Sequence, residues 1–435
     1  MPDRTTYDKS HFSFRVGDIG RIKPVTIIPV VAGESVEVDL QGVFRLSPLR
    51  RNMTVDCMVD LFAFYRPYRH TYGDVWTDFI KDGVDESVTF PTYTLPARPT
   101  GYNIFPGTPV SGRVLPRWLP SDLWSIWNRF FRPPPERIDD NDVTTAILNA
   151  FYNEAEVAQK GPRACWPKAP WNTAIPQPDA ADRRVGLQSS QLDLLDLRRV
   201  KARYKTELDR EYFGATYNDI SDRVWDATVN IDADQRPELL MRKQMWLSGY
   251  DTDGTDAASL GEYAGKSAAV LNFGFPRRYF PEHGSIWILV LFRWPLLIYD
   301  MVNPILTRAQ PSYKWLAGDP EVMMSEPPEP LDMSDWLMHH SVSDPAGAVP
   351  YGMHHRFIPS VTERTLEDLQ GFPMIQGHRA FNGGTGPLIP SDAIKYWDSL
   401  FRDLSQDQWQ IQSRVNVLTQ SPVPSVLKSI YAGTR

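Results

Sequence analysis

Only two cysteines occur in the 435 residues, Cys57 and Cys165, too few for a disulfide framework and not at a metal-ligand spacing. Cys57 lies in an apolar run and reads as a small buried hydrophobe, which fits a reducing compartment. Strong charge of one sign is also missing. The net charge is −7, with no basic tail or arginine-rich arm, so strong autonomous DNA binding through counterion release is not expected. No run is apolar enough to cross a membrane: the best stretch, Ile286 to Tyr299, is broken by Arg293 and Pro295. The start, Met1-Pro2-Asp3-Arg4, is polar and has no apolar signal-peptide core, so a cytoplasmic site of synthesis is expected.

Signatures of catalysis are equally scarce. There is no His-Glu-x-x-His, no Gly-x-Ser-x-Gly elbow and no phosphate-binding Walker loop. Two of the histidine pairs, His339-His340 and His354-His355, are neighbours whose side chains diverge on any regular element, so neither chelates by itself. His283, beside Glu282 and after Pro281, reads as a turn histidine satisfied by backbone before it reads as a general acid. Asn382-Gly383-Gly384-Thr385-Gly386 reads as a surface loop. Asp251, Asp253 and Asp256 with Glu262 look like a calcium loop, but the glycine is fourth where sixth is needed. A tight acidic turn that caps its own backbone is the simpler reading. No enzyme class gains support, and no cofactor or metal is expected.

What the chain does have is proline and tryptophan. Thirty-eight prolines are close to twice the usual ~5%, which rules out a bundle of long helices. Fourteen tryptophans and 42% hydrophobic residues argue for a folded chain. A short β scaffold carrying long, stiff, functional loops accommodates both. Strands are legible at Val25 to Val31, bounded by a turn at Ala32-Gly33, and at Ser35 to Leu40, which alternates with period two. Thr54 to Tyr65 places Val55, Cys57, Val59, Leu61, Ala63 and Tyr65 on one face. Ile286 to Phe292 is apolar on both faces and reads as a buried central strand. Trp409, Ile411, Val415 and Val417 mark a last strand, with Arg414 and Asn416 facing the other way. Strands at both ends of the chain, separated by long intervals, predict an antiparallel sandwich of nonlocal pairings. The fold class expected is mainly β: an eight-stranded antiparallel jelly roll with very long loop insertions containing short helices. Residues 1–435 form a single elaborated domain, with about 66–285 and 295–405 mostly insertion. Two helices are expected there: Gln191 to Phe213, and Trp118 to Phe131 with Ser121 as N-cap and Pro133-Pro134-Pro135 as the stop.

Candidate contact residues follow from local composition. Arg45, Arg50 and Arg51 surround a Ser47-Pro48 turn with little acid nearby and follow Phe44, a combination that can hold single-stranded nucleic acid without reading sequence; the competing reading is an interface arginine. Arg66 and Arg69 follow the third strand. Trp118, Trp124, Trp127 and Phe131 form the densest aromatic patch. Core packing is their default and a subunit interface the competitor. Arg198 and Arg199 lie on the longer helix among both signs of charge and read as a solvated or intersubunit face.

Seven short blocks carry a resemblance. They are Leu46-Ser47-Pro48-Leu49-Arg50-Arg51, Tyr68-Arg69-His70-Thr71-Tyr72-Gly73, Lys81-Asp82-Gly83-Val84, the stretch from Gly249 to Gly261, Phe280-Pro281-Glu282-His283-Gly284, Ala317-Gly318-Asp319-Pro320 and Gly371-Phe372-Pro373. In this order they resemble blocks of the major capsid proteins of microviruses, small tailless phages with circular single-stranded DNA. The resemblance implies a jelly-roll subunit that forms pentamers and a sixty-subunit T=1 shell. It also implies a spike protein at the fivefold vertices, a small basic DNA-binding protein inside, scaffolding proteins during assembly in a host bacterial cytoplasm, and packaged single-stranded DNA, with no membrane. A separate basic protein would account for the mild acidity of this chain. Two rival classes are a cupin-like jelly-roll enzyme, which needs histidines on inward strands, and a carbohydrate-binding module using the aromatic patch and the acidic turn.

Overall fold

A computed structural model describes residues 4–49, 56–82, 89–94, 112–132, 137–138, 143–153, 161–164, 237–247, 249–253, 263–294 and 407–422, with short pieces within 297–401. The strands run in chain order as β1 (Thr5–Asp8), β2 (His11–Gly17), β3 (Ile22–Val30), β4 (Ser35–Leu49), β5 (Cys57–Pro67), β6 (Thr92–Thr94), β7 (Val114–Pro116), β8 (Glu238–Leu247), β9 (Gly249–Asp253), β10 (Tyr263–Tyr279) and β11 (Gly284–Arg293). The short β12 (Leu297–Ile298), β13 (Glu329–Asp332), β14 (Pro345–Val349) and β15 (Met374–Ile375) precede the long β16 (Trp409–Ser421).

Two antiparallel sheets face each other. Sheet one has the order β1-β16-β4-β10-β9, with β2 also on β16; sheet two has the order β3-β11-β5-β8. β1 and β2 pair with successive parts of β16, so together they act as one interrupted strand. This interleaving of early, late and middle strands is the winding of a jelly roll. The first strand lies beside the last, and the second beside the one before last.

The period-two pattern explains the core. In β4 the residues Val36, Val38, Leu40, Phe44 and Leu46 point inward, as do Leu271, Phe273 and Phe275 of β10 and Ile411, Val415 and Val417 of β16. They meet Val59, Leu61 and Ala63 of β5 and Ile286, Ile288 and Val290 of β11. Across the sandwich the Phe292 and Trp409 rings stack at 4.7 Å with planes 14° apart. The Ala32-Gly33 turn is where it was expected, and Gly33 adopts a φ of 82°, which a side chain would strain.

Prolines sit where a ladder can spare a donor. β3 is the edge of sheet two, and it holds Pro24 and Pro29. The Ser47-Pro48 turn expected from the sequence is instead a bulge inside a continuous fifteen-residue β4, where the register against β10 slips between Gly265 and Ser267. The first insertion is also shorter than expected: β8, β9 and β10 occupy the end of the 66–285 range, so the connection from β5 to β8 spans 68–237.

The outer face of sheet two is covered by part of that connection. α1 (Arg69–Tyr72), α2 (Asp74–Asp82), α3 (Trp118–Ile126) and α4 (Thr145–Asn153) lie in it, and α3 runs on as a π-helical turn over Trp127–Phe131. Helix α3 begins at Trp118 with Arg117 as N-cap, so Ser121 is an interior residue and not the cap. The helical run stops at Arg132, which is extended (φ −89°, ψ 144°) as a residue before proline prefers. Beneath it, Phe62, Phe64, Trp287, Leu289 and Leu291 form a second core with Leu123, Trp124, Phe131, Phe151 and Tyr152.

Candidate interaction surfaces

Strands β5 and β11 are buried at every position, because one face packs in the sandwich and the other under the helices. Polar groups are admitted to this second interface only with partners. Asp122 of α3 is fully buried and takes an ion pair from Arg66 of β5 at 3.1 Å. Its carboxylate also accepts from Thr71 Oγ1 at 2.9 Å and Ser285 Oγ at 3.0 Å, and Trp287 Nε1 donates on to Ser285 Oγ at 2.9 Å. One carboxylate thus ties α1, α3, β5 and β11 together. Burial raises its pKa to about 6 despite the arginine and the three hydrogen-bonding groups that pull it down. Asp60, also buried, lies between Arg293 at 2.6 Å and Arg242 at 3.1 Å, and the Arg242 guanidinium sits 5.4 Å over the Phe62 ring.

These contacts reassign several sequence candidates. Trp124 is 1% and Phe131 6% exposed, so both belong to the chain's own second core and cannot meet a neighbouring subunit. Phe131 packs edge-on to Phe62 at 5.0 Å. Trp118 and Trp127 pack on the same core but keep part of their surface. Arg66 is consumed by Asp122, and Arg69 by a two-pronged contact with Glu282 at 2.9 and 3.0 Å, which holds that carboxylate below its ordinary pKa. His283 is the turn histidine expected: its Nδ1 accepts from the Ala32 N–H at 3.3 Å. Cys57 is buried and its thiol pKa is pushed well up by desolvation. Asp251 and Asp253 lie on strand β9, paired with Gly265 and Tyr263 of β10, so the expected acidic turn does not begin at Asp251. Asp256, Glu262, the two histidine pairs, Arg50, Arg51, Arg198, Arg199 and the helix expected over Gln191 to Phe213 lie outside the described residues.

Sheet one presents the opposite case, since its outer face has no such cover among the described residues. Arg45 is exposed there, but Phe44, the aromatic expected to work with it, is completely buried on the other side of the strand. The register supplies different neighbours. One row across the sheet is Phe12, Arg414, Gln41 and Asn272; the next is Phe14, Gln412, Val43 and Val270; a third is Val16, Gln410, Arg45 and Ala268. Phe12 and Phe14 are 70% and 69% exposed, and Val270 72%. Sequence reading missed β2 and its two phenylalanines, although His11-Phe12-Ser13-Phe14-Arg15-Val16 alternates as a strand should. His11 shows that a histidine does stand on a strand, yet its ring nitrogens meet the Lys9 carbonyl at 3.0 Å and Thr26 Oγ1 at 2.7 Å. A smaller apolar exposure lies on β8, the far edge of sheet two, with Leu239, Met241 and Trp246.

Two sheets wound in this order, one roofed by the chain's own insertion and the other open, define a jelly-roll structural protein, the architecture of many viral coats. The chain belongs to the capsid protein (F protein) family, whose model matches residues 1–185 and 185–431. It is 32% identical over 436 residues to capsid protein F of Escherichia phage G4, covering 98% of this chain and 97% of that protein. The same protein of Escherichia phage alpha3 is 33% identical over 434 residues, and that of Enterobacteria phage phiK 34% over 434, with the same coverage. It is therefore a bacteriophage coat protein, with a structural role in the virion.

Proposed function

We propose that this chain is the major capsid subunit of a small icosahedral phage, assembling through pentamers into a sixty-subunit T=1 shell around a circular single-stranded DNA genome. The observation that carries the reading is the family membership over nearly the whole chain, on a jelly roll with one sheet face left open. A closed shell of cyclic rings needs heterologous contacts, so each subunit carries complementary, unlike patches. Exposed apolar groups at Trp246 and Leu239, the uncovered parts of Trp118 and Trp127, and the charged pair Arg198 and Arg199 are the groups we assign to such contacts. Arg45, Arg50 and Arg51 we assign to the genome side. The partners are a spike protein at the fivefold vertices, scaffolding proteins during assembly in the host bacterial cytoplasm, and a small basic DNA-binding protein. The last supplies the positive charge that a chain of net charge −7 lacks.

Negative-stain imaging of the protein expressed alone and together with its neighbouring genes tests this reading. Pentameric rings, or closed isometric particles of one size, are expected. Dispersed monomers in both preparations would overturn it.

A further inference from the structure

The open face of sheet one combines features that neither a core nor an ordinary solvated surface requires. Two phenylalanines on the edge strand β2 leave more than two thirds of their surface in water, at 70% and 69%. Beside them stand amides, Gln412 and Gln410 in the same two rows, and Gln41 and Asn272 further across. Two arginines, Arg414 and Arg45, stand on adjacent strands four residues apart in register, about 14 Å along the sheet. Among the described residues neither makes an ion pair. Arg414 is close enough to the exposed Asp8 to help lower its pKa, after the stronger pull of its hydrogen bonds with Ser10, but forms no bridge with it. The carboxylates toward the other end of the face are already engaged: Glu37 holds Arg277 at 3.3 Å, and Asp39 accepts from Gln41 at 2.8 Å.

We propose that this face binds single-stranded nucleic acid, with Phe12 and Phe14 as stacking platforms for unpaired bases and Arg414 and Arg45 as phosphate contacts. The inference rests on the coat-subunit reading above and adds the surface that meets the genome. Flat aromatic faces accept any base, while the amides offer donors and acceptors to base edges without fixing a sequence. Duplex DNA keeps its bases stacked on each other and offers the phenylalanines nothing, so the platform discriminates by strandedness. This corrects the pairing of Arg45 with Phe44: the aromatics that can reach a ligand come from β2, two strands away.

The test uses the full-length protein and a fluorescent oligothymidine, with a duplex of equal length as competitor. The double variant F12A/F14A is expected to weaken oligothymidine binding about tenfold or more, as loss of base stacking does. R45Q/R414Q is expected to lower the slope of log affinity against log salt by about 1.4, at about 0.7 per phosphate contact on a single strand. All four positions are exposed, and unchanged circular dichroism identifies a variant that has kept its fold. Ultraviolet crosslinking of assembled particles is expected to attach nucleotides to the peptide spanning residues 11–17. Equal affinity of parent and variants for oligothymidine, or crosslinks from that peptide to a second copy of the chain and none to DNA, would overturn the proposal. Closed particles with unchanged DNA affinity sink this surface alone. Dispersed monomers that still bind oligothymidine through Phe12 and Phe14 sink the coat-subunit reading and leave this surface standing.

Discussion

The two sheets share one core and differ on their other faces. β5 is buried at every one of its eleven positions, whereas β4 alternates buried inward residues with outward ones that reach solvent. The reason is not the strands' place in the sandwich but what lies outside it. Residues of the first insertion roof sheet two with tryptophan and phenylalanine, and nothing described roofs sheet one. An all-apolar strand in a single chain therefore reports two covered faces, and an alternating strand reports one. In a coat subunit, the open face is where other molecules can be accommodated.

The largest break in the symmetry should come from the roofed side. Trp287→Ala removes a fully buried ring at the centre of the second core and is expected to cost about 3–5 kcal/mol, read from the urea midpoint of the full chain. Asp122→Asn is expected to cost about 3 kcal/mol, because it leaves Arg66 buried without a countercharge. That variant also sharpens the comparison through pH. Burial lifts the Asp122 carboxyl from 3.8 to about 6, so the folded state takes up its proton more readily than the unfolded one. The parent gains stability from this group as pH falls from 7 toward 5, and loses it as pH rises through about 6. Asn cannot titrate, so the stability gap between parent and variant should widen by about 1 kcal/mol between pH 7 and pH 5. A gap that stays constant would mean that Asp122 is already ionised throughout that range.

Smaller effects are expected at the margins. Glu282→Gln loosens the half-exposed contact with Arg69 and should change stability by less than about 1 kcal/mol. On the open face, Val270→Ala should fall within about 0.5 kcal/mol, since a residue 72% exposed has little burial to lose. A cost there comparable to that of Trp287→Ala would show that sheet one is roofed after all.

Much of this contrast was legible in the sequence. The unbroken apolar run of Ile286 to Phe292 identified β11, and alternation identified the start of β4 and the inward face of β16. What escaped has physical causes. β10 contains Gly265, Ala268, Ala269, Asn272 and Gly274, residues with weak strand preference, and it is held by its partners β4 and β9. β4 was cut short because Ser47-Pro48 has the composition of a turn, although a bulge absorbs it. The aromatic patch was correctly seen as dense, but sequence cannot say whether tryptophans on a helix face the next element of the same chain or another molecule. Phe44 and Arg45 illustrate the same limit: adjacent in sequence, they lie on opposite sides of a sheet.

The last long strand lies between β4 and the first pair, with Thr5 opposite Ser421. During translation, sheet one therefore keeps a slot one strand wide until residues 409–421 have left the ribosome. A nascent chain has no finished wall to offer, and its unpaired β4 edge is open to the wrong partner for nearly the whole time of synthesis. Closure of that slot is a checkpoint written into the topology: a polypeptide truncated before residue 409 lacks the central strand of the open face, and geometry alone disqualifies it from being built into a particle.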